Sequence, residues 1–256
     1  MIGLLIQDNA FEQDIRELLM SFYPGEAYAH AVKDGVSFYA ESRLGEGEVS
    51  LRIWERAERA ADGEETLLTD CPPAPAESDR ACPPSGLEGW RCVSHGCRKT
   101  DLSDRTETKN VVKKLFYQML VQRTGKELPW GSLTGIRPTK IALSRLMEGW
   151  REEDIRSFMK ETYLASDEKI NLCIEIGARE KELLAPLDYE RGYSLYVGIP
   201  FCPTTCLYCS FTSYPVSKWK GRTGLYLDAL FKELAYTAGR MAGRPLDTVY
   251  IGGGTP

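Results

Sequence analysis

A chain of 256 residues, 43% of them hydrophobic and 27% charged, carries enough apolar surface to bury one or two cores. Its 32 basic residues against 37 acidic ones leave a formal charge of −5, which gives no sign of a nucleic-acid partner or of a binding face for an anionic membrane. No stretch is long enough to span a bilayer, and the short apolar run Met1–Asn9 lacks a basic flank and is followed by Glu12 and Asp14, so neither a membrane span nor an export signal is expected. Eight cysteines in a chain of this size, without a leader, point to reduced thiols in a cytoplasm, not to the disulfide framework of a small secreted protein.

Ile2–Ile6 (IGLLI) reads as a strand. Phe11, Ile15, Leu18, Leu19 and Phe22 then recur at helical spacing, and strands are expected near 36–41 and 48–54, so that residues 1–60 form a small α/β unit. Over 61–105 the pattern gives way to Pro, Gly, Ser and Asp, with Cys71 and Cys82 each followed by two prolines, and this stretch reads as a loop or disordered insertion. From 106 to 190 the chain reads as helical. Val112, Leu115, Phe116, Met119 and Leu120 form one stripe ended by Gly125, a C-cap residue. The linker from Leu128 to Lys140 holds two glycines and two prolines, which forbid a continuous helix before Pro138. Helices follow near 152–163 and 166–185, the latter opened by Ser166 as N-cap with Asp167 and Glu168 in its first turn. In 191–256 the period changes to strand (194–199), helix (223–241) and strand (248–251), the order of a parallel β/α unit. The fold class is therefore α/β throughout, with a helical middle.

The chemistry sits directly after the first strand of that last unit. Cys202, Cys206 and Cys209 place three thiols on one short loop at the strand's C-terminal end. Three soft ligands suit iron and sulfide, whereas a structural zinc site wants a fourth Cys or His that the adjacent residues do not supply. A 4Fe–4S cluster held by three cysteines keeps one iron open for a ligand. A second element, Gly252, Gly253, Gly254 and Thr255, ends the neighbouring strand, where glycines allow backbone to approach a ligand closely.

The Cys-x3-Cys-x2-Cys spacing, with Leu195 to Cys202 before it and Ser210 and Phe211 after it, resembles the radical S-adenosylmethionine superfamily, in the branch of oxygen-independent coproporphyrinogen III oxidases. That branch usually reads Tyr-x-His-Ile-Pro-Phe-Cys, and Gly198 stands where its histidine does. The segment Leu128 to Lys140 is similar to the anaerobic coproporphyrinogen dehydrogenase subgroup, so the likeness covers roughly residues 107–256. The resemblance implies a partial (β/α)6 barrel whose first units are 191–256. It implies S-adenosylmethionine bound at Gly252, Gly253, Gly254 and Thr255, with Tyr208 against the adenine and Phe211 beside it. Tyr196 matches a tyrosine near the cluster, with a place in the strand's core as its other reading. The implied reaction removes a β-hydrogen, carbon dioxide and an electron from each of two propionates, leaving vinyl groups. A tetrapyrrole substrate and an electron donor of unknown identity are its partners. A haem-binding chaperone of the same branch is the alternative, against which Ser210 (Asp in the chaperones) and the Leu128–Gly131 segment argue. Because such a barrel needs about six strands and the chain carries two, the polypeptide alone is expected to be poorly soluble and inactive.

Other candidates have plainer readings. Cys71, Cys82, Cys92, His95 and Cys97 match no regular zinc spacing, Cys173 lies on an apolar helix face, His30 reads as structural, and Arg137 with Lys140 suits either a carboxylate or a solvated junction.

Overall fold

The structure, a computed structural model, describes residues 1–7, 9–57, 84–188 and 190–254 and the backbone of 66–67. Two compact units divide the chain, Met1–Lys181 and Glu182–Pro256.

The first unit is built on a mixed six-stranded sheet of order β2-β1-β3-β4-β6-β5. Strand β1 (Ile2–Ile6) leads through α1 (Glu12–Phe22) to the two-residue β2 (Tyr28–Ala29), parallel to β1, and the chain then returns to β3 (Phe38–Gly45), parallel to β1 on its other side. A hairpin joins β3 to β4 (Glu48–Arg56), with Glu46 and Gly47 at φ 53° and 74°, both positive as a two-residue hairpin turn requires. The strand β5 (Thr66–Leu67) and the longer β6 (Trp90–Lys99) complete the sheet.

Alternation along the strands gives the sheet two apolar faces. Ile2, Leu4, Phe38, Ala40, Val49, Leu51 and Ile53 bury against α1 and against α2 (Arg105–Thr124), whose stripe from Val112 to Leu120 is as the sequence predicts. Tyr39 and Trp54 head a smaller core on the other face with Val36 and Leu87. Helix α2 starts where Asp104 accepts from the N–H groups of Thr106 and Glu107 at 2.8 and 3.0 Å, and ends at Gly125, left-handed at φ 65°.

Strand β6 corrects the expectation that 61–105 is all loop or insertion. Its pairing with β4 shifts at Val93, so Cys92 stands opposite Trp54 and Ser94 opposite Ile53, residues on opposite faces of β4. That bulge breaks the period of two in mid-strand, which hides the strand from a pattern reading. His95 Nε2 meets Ser50 Oγ at 3.3 Å across the ladder. Cys97 is disulfide-bonded, contrary to the expectation of reduced thiols throughout. Among the described residues no three His, Cys, Asp or Glu side chains form a metal-holding group. Cys71 and Cys82 lie outside those residues.

Helices α3 (Thr139–Met147), α4 (Glu152–Tyr163) and α5 (Asp167–Leu184) form a second core around Ala142, Leu146, Ile155, Met159, Ile170, Cys173 and Ile174. Cys173 is fully buried, and desolvation pushes its thiol pKa up, as packing requires. The Leu128–Gly135 linker is a strap that ties these elements together. Pro129 O accepts from Ser166 N at 2.9 Å, Ser132 N and Oγ both donate to Tyr163 O at 2.8 and 3.2 Å, and Lys113 Nζ donates to Thr134 Oγ1 at 2.7 Å. Thr134 in turn donates to Glu17 at 3.1 Å. Burial lowers the pKa of Lys113, an effect opposed by Asp14. Hydrogen bonding from Gln13, and then from Thr134, lowers that of Glu17.

In the second unit β7 (Tyr193–Ile199) pairs in parallel with β10 (Leu246–Gly253), and α6 (Thr223–Arg240) lies between them in sequence. A small parallel bridge joins β8 (Phe201–Cys202) to β9 (Tyr214–Pro215). Val197 is buried, while Leu225, Phe231, Tyr236, Val249 and Ile251 are exposed. Among the described residues no helix is long and apolar enough to cross a membrane.

Candidate functional site

The three cysteines lie where the sequence puts them, on the stretch leaving β7. Cys202 ends β8 and is half-buried, Cys206 is exposed, and Cys209 is half-buried with its N–H on Cys206 O at 3.0 Å. All three thiols are free. The structure does not draw them into a three-ligand group. Gathering them requires movement of an exposed loop closed by that one turn, and metal binding commonly supplies such ordering. The donor set itself, three free soft thiols of which Cys209 donates only a weak bond to Phe211 O at 3.8 Å, fits an iron–sulfur cluster with an open iron.

The base of this loop is fixed by aromatic side chains. Phe201 packs edge-on against Tyr226 of α6 at 5.0 Å and tilted against Trp219 at 5.7 Å, and Trp219 also meets Tyr214 at 5.8 Å. Tyr226 donates its hydroxyl to Gly198 O at 2.8 Å, pinning α6 to the end of β7. The sequence shows Tyr226 only as part of a helical stripe. Its position four residues before Leu230 carries no sign of the strand contact.

The glycine-rich end of β10 has a different close neighbour from the one its composition suggests. Gly254 donates its N–H to Ile199 O, and a Cβ there would overlap Phe201 O. Gly253, at φ 115°, would bring a Cβ to 2.6 Å from Ile199 O. These glycines therefore allow β10 to close on the backbone that leads into Cys202, and they fix one strand end against the other. Thr255 lies outside the described residues.

Tyr196 is 58% exposed, so it is not a core residue of β7. It stacks on Tyr250, its register partner in β10, with ring centroids 5.4 Å apart and planes 19° apart. Gly198 and Gly252 are the next pair on the same face, and a Cβ at 198 would stand 3.2 Å from the Tyr196 ring. The substitution of the branch's histidine by Gly198 thus leaves Tyr196 its room. Tyr208 and Phe211 are 89% and 71% exposed on the cysteine loop, with their rings unpacked. In the first unit, Arg137 and Lys140 are exposed at the start of α3 and form no ion pair among the described residues.

Over 215 residues, 80% of its length, the chain is 34% identical to the oxygen-independent coproporphyrinogen-III oxidase-like protein HemZ of Bacillus subtilis strain 168, of which the match covers 42%. It is 42% identical over 67 residues to the oxygen-independent coproporphyrinogen III oxidase of Escherichia coli K12, matching 26% of this chain and 14% of that protein. It is also 38% identical over 74 residues to the heme chaperone HemW of Mycobacterium tuberculosis H37Rv, 28% of this chain and 19% of that one. The chain thus spans less than half the length of the curated relatives it matches. No family model and no solved structure matches it. The thiol spacing, the strand that presents it and a likeness running through most of the chain lead to one conclusion: the chain belongs to the radical S-adenosylmethionine family, in the branch of oxygen-independent coproporphyrinogen III oxidase-like proteins.

Proposed function

We propose that the chain is part of an anaerobic coproporphyrinogen III dehydrogenase, which converts two propionates of its tetrapyrrole substrate to vinyl groups without oxygen. The observation that carries this reading is the set of three free thiols on the loop leaving β7, seated against the glycine-rich end of the parallel strand β10.

Cys202, Cys206 and Cys209 would hold the cluster as thiolates. When bound, the cluster supplies the electron that cleaves S-adenosylmethionine to a hydrogen-abstracting radical. Gly254 spends its N–H on Ile199, so its part is to hold the strand end in place. Gly252 and Gly253, with Thr255, offer backbone to the amino acid end of S-adenosylmethionine, and the exposed rings of Tyr208 and Phe211 offer faces to its adenine. Tyr196, braced by Tyr250, stands on the strand face that carries the two small residues Gly198 and Gly252, over which the two tyrosine rings lie, and from there its exposed ring would meet the substrate. Strand, helix and parallel strand make the first repeat of a (β/α) barrel, with its chemistry at the strands' C-terminal ends.

A chaperone that carries haem is the competing reading, since relatives of both names match. The second unit has 75 residues, so a 215-residue likeness to HemZ takes in most of the first unit as well, whereas the HemW likeness spans 74 residues. The longer likeness is to HemZ, whose name is oxidase-like, and the dehydrogenase reading takes its lead from it. The test is anaerobic incubation of the reconstituted protein containing this chain with S-adenosylmethionine, a reductant and coproporphyrinogen III, followed by chromatography of the oxidised porphyrins. Conversion of propionates to vinyls with two 5′-deoxyadenosines per product is expected. Stoichiometric haem binding with no decarboxylation would replace this reading with the chaperone.

A further inference from the structure

Three consecutive carbonyl groups lead from β7 into Cys202, and each is held by a different element. Gly198 O accepts from the Tyr226 hydroxyl of α6 at 2.8 Å, Ile199 O accepts from Gly254 N beyond the end of β10, and Pro200 O accepts from Tyr214 N of β9 at 2.7 Å. The directions follow from the ladder. Ile199 is paired with Gly253, so its N–H and C=O face β10, and by alternation those of Gly198 face the other edge of β7. That edge has no strand neighbour at Gly198 among the described residues. The Tyr226 hydroxyl therefore supplies, from a helix, the donor that a further strand would give Gly198 O.

The three donors differ in kind. Those of Gly254 and Tyr214 are backbone N–H groups, which any residue except proline provides. Tyr226 reaches Gly198 with a side chain, and its ring has a separate contact, edge-on to Phe201 at 5.0 Å. Ring and hydroxyl can thus be separated: phenylalanine at 226 keeps the packing at the base of the cysteine loop and removes only the bond to Gly198. Gly198 lies four residues before Cys202 and in register with Gly252, the first glycine of the run that ends β10. Holding Gly198 holds the first thiol in place relative to that run.

We propose that Tyr226 is a positioning residue for S-adenosylmethionine, its hydroxyl keeping the segment that enters Cys202 aligned with the glycine-rich end of β10. The inference rests on the function proposed above, in which that cofactor meets both the open iron and the backbone of Gly252 and Gly253. A ligand held at two points on two elements is sensitive to the offset between them, whereas the cluster needs only the three thiols of one loop. Loss of the hydroxyl lowers affinity for the cofactor and spares the cluster.

The test uses the protein containing this chain, reconstituted anaerobically with iron and sulfide, reduced, and titrated with S-adenosylmethionine while the electron paramagnetic resonance signal of the cluster is followed. Tyr226→Phe and Tyr226→Leu are compared with the unaltered protein and with Tyr236→Phe, a change at an exposed tyrosine of the same helix. Iron and sulfide contents are expected to be equal in the unaltered protein, Tyr226→Phe and Tyr236→Phe. The cofactor concentration that half-changes the signal is expected to rise about fivefold in Tyr226→Phe, the size of one neutral hydrogen bond, and to stay unchanged in Tyr236→Phe. Tyr226→Leu, which also gives up the contact with Phe201, is expected to lose cluster as well. The proposal is overturned if Tyr226→Phe responds at the same cofactor concentration as the unaltered protein, or if it loses cluster as Tyr226→Leu does; the function proposed above survives either result. An unaltered protein that forms no cluster, or whose cluster ignores S-adenosylmethionine, overturns that function and this proposal together.

Discussion

Replacing Gly254 by alanine is expected to cut cluster occupancy by more than tenfold while leaving the first unit's unfolding unchanged. A Cβ at 254 would overlap Phe201 O and stand 3.0 Å from Ile199 O, and both atoms belong to backbone that cannot swing aside like a side chain. The Gly254 N–H bond to Ile199 would break, and the end of β10 would part from the segment that carries Cys202. The loss follows from position, because the loop that carries the three thiols leaves β7 against this strand end and is otherwise held by the β8–β9 bridge and the aromatic contacts of Phe201. Gly224→Ala is the control. It lies within α6 with nothing within 4 Å of the added carbon, and alanine there improves helix propensity by up to about 1 kcal/mol. Iron and sulfide content per chain, with urea unfolding followed by tryptophan fluorescence, reads out both variants. Equal cluster content in Gly254→Ala and wild type would show that the close approach of β10 is not needed.

The second large effect is expected at Gly131, where alanine should destabilise the first unit by about 3 kcal/mol or more. Gly131 is left-handed at φ 56°, which already penalises a side chain, and its Cβ would press on the carbonyl group of Leu164 and on Tyr163 O. Tyr163 O is the acceptor for both Ser132 groups, so displacing it costs those hydrogen bonds as well. Leu164 is itself left-handed at φ 57°, and it has little freedom to yield. The Gly149→Ala variant separates strain from collision: φ is 85° there, but nothing lies within 4 Å, and a cost of about 1 kcal/mol is expected from backbone strain alone. Denaturant midpoints at constant slope measure both. A Gly131→Ala variant as stable as Gly149→Ala would mean that the strap yields without cost.

These two glycines mark the boundary of what the sequence makes legible. Where one face of an element is buried, the pattern shows it: the IGLLI strand, the stripes of α1 and α2, and the Asp167 helix emerge within a residue or two of their predicted limits. Glycine at 131 or 254 signals that a side chain is excluded but not by what, because the excluding carbonyl belongs to a segment 32 or more residues away. The glycine-rich run therefore reads as a place for a ligand, and the structure finds protein backbone closest to it. Strand β6 escaped because the bulge at Val93 interrupts its alternation. The cysteine motif lies at the other extreme. Its ligands are close in sequence, so loop and chemistry are visible together, even though the free thiols are not gathered in the structure.

The account stands on those thiols, and electron paramagnetic resonance tests them most directly. The protein is reconstituted anaerobically with iron and sulfide, reduced, and recorded with and without S-adenosylmethionine, alongside Cys206→Ala. The account predicts a reduced 4Fe–4S signal in the unaltered chain, a changed signal on adding S-adenosylmethionine, and no such signal in the variant. A variant spectrum identical to that of the unaltered chain, or a cluster signal indifferent to S-adenosylmethionine, would contradict it.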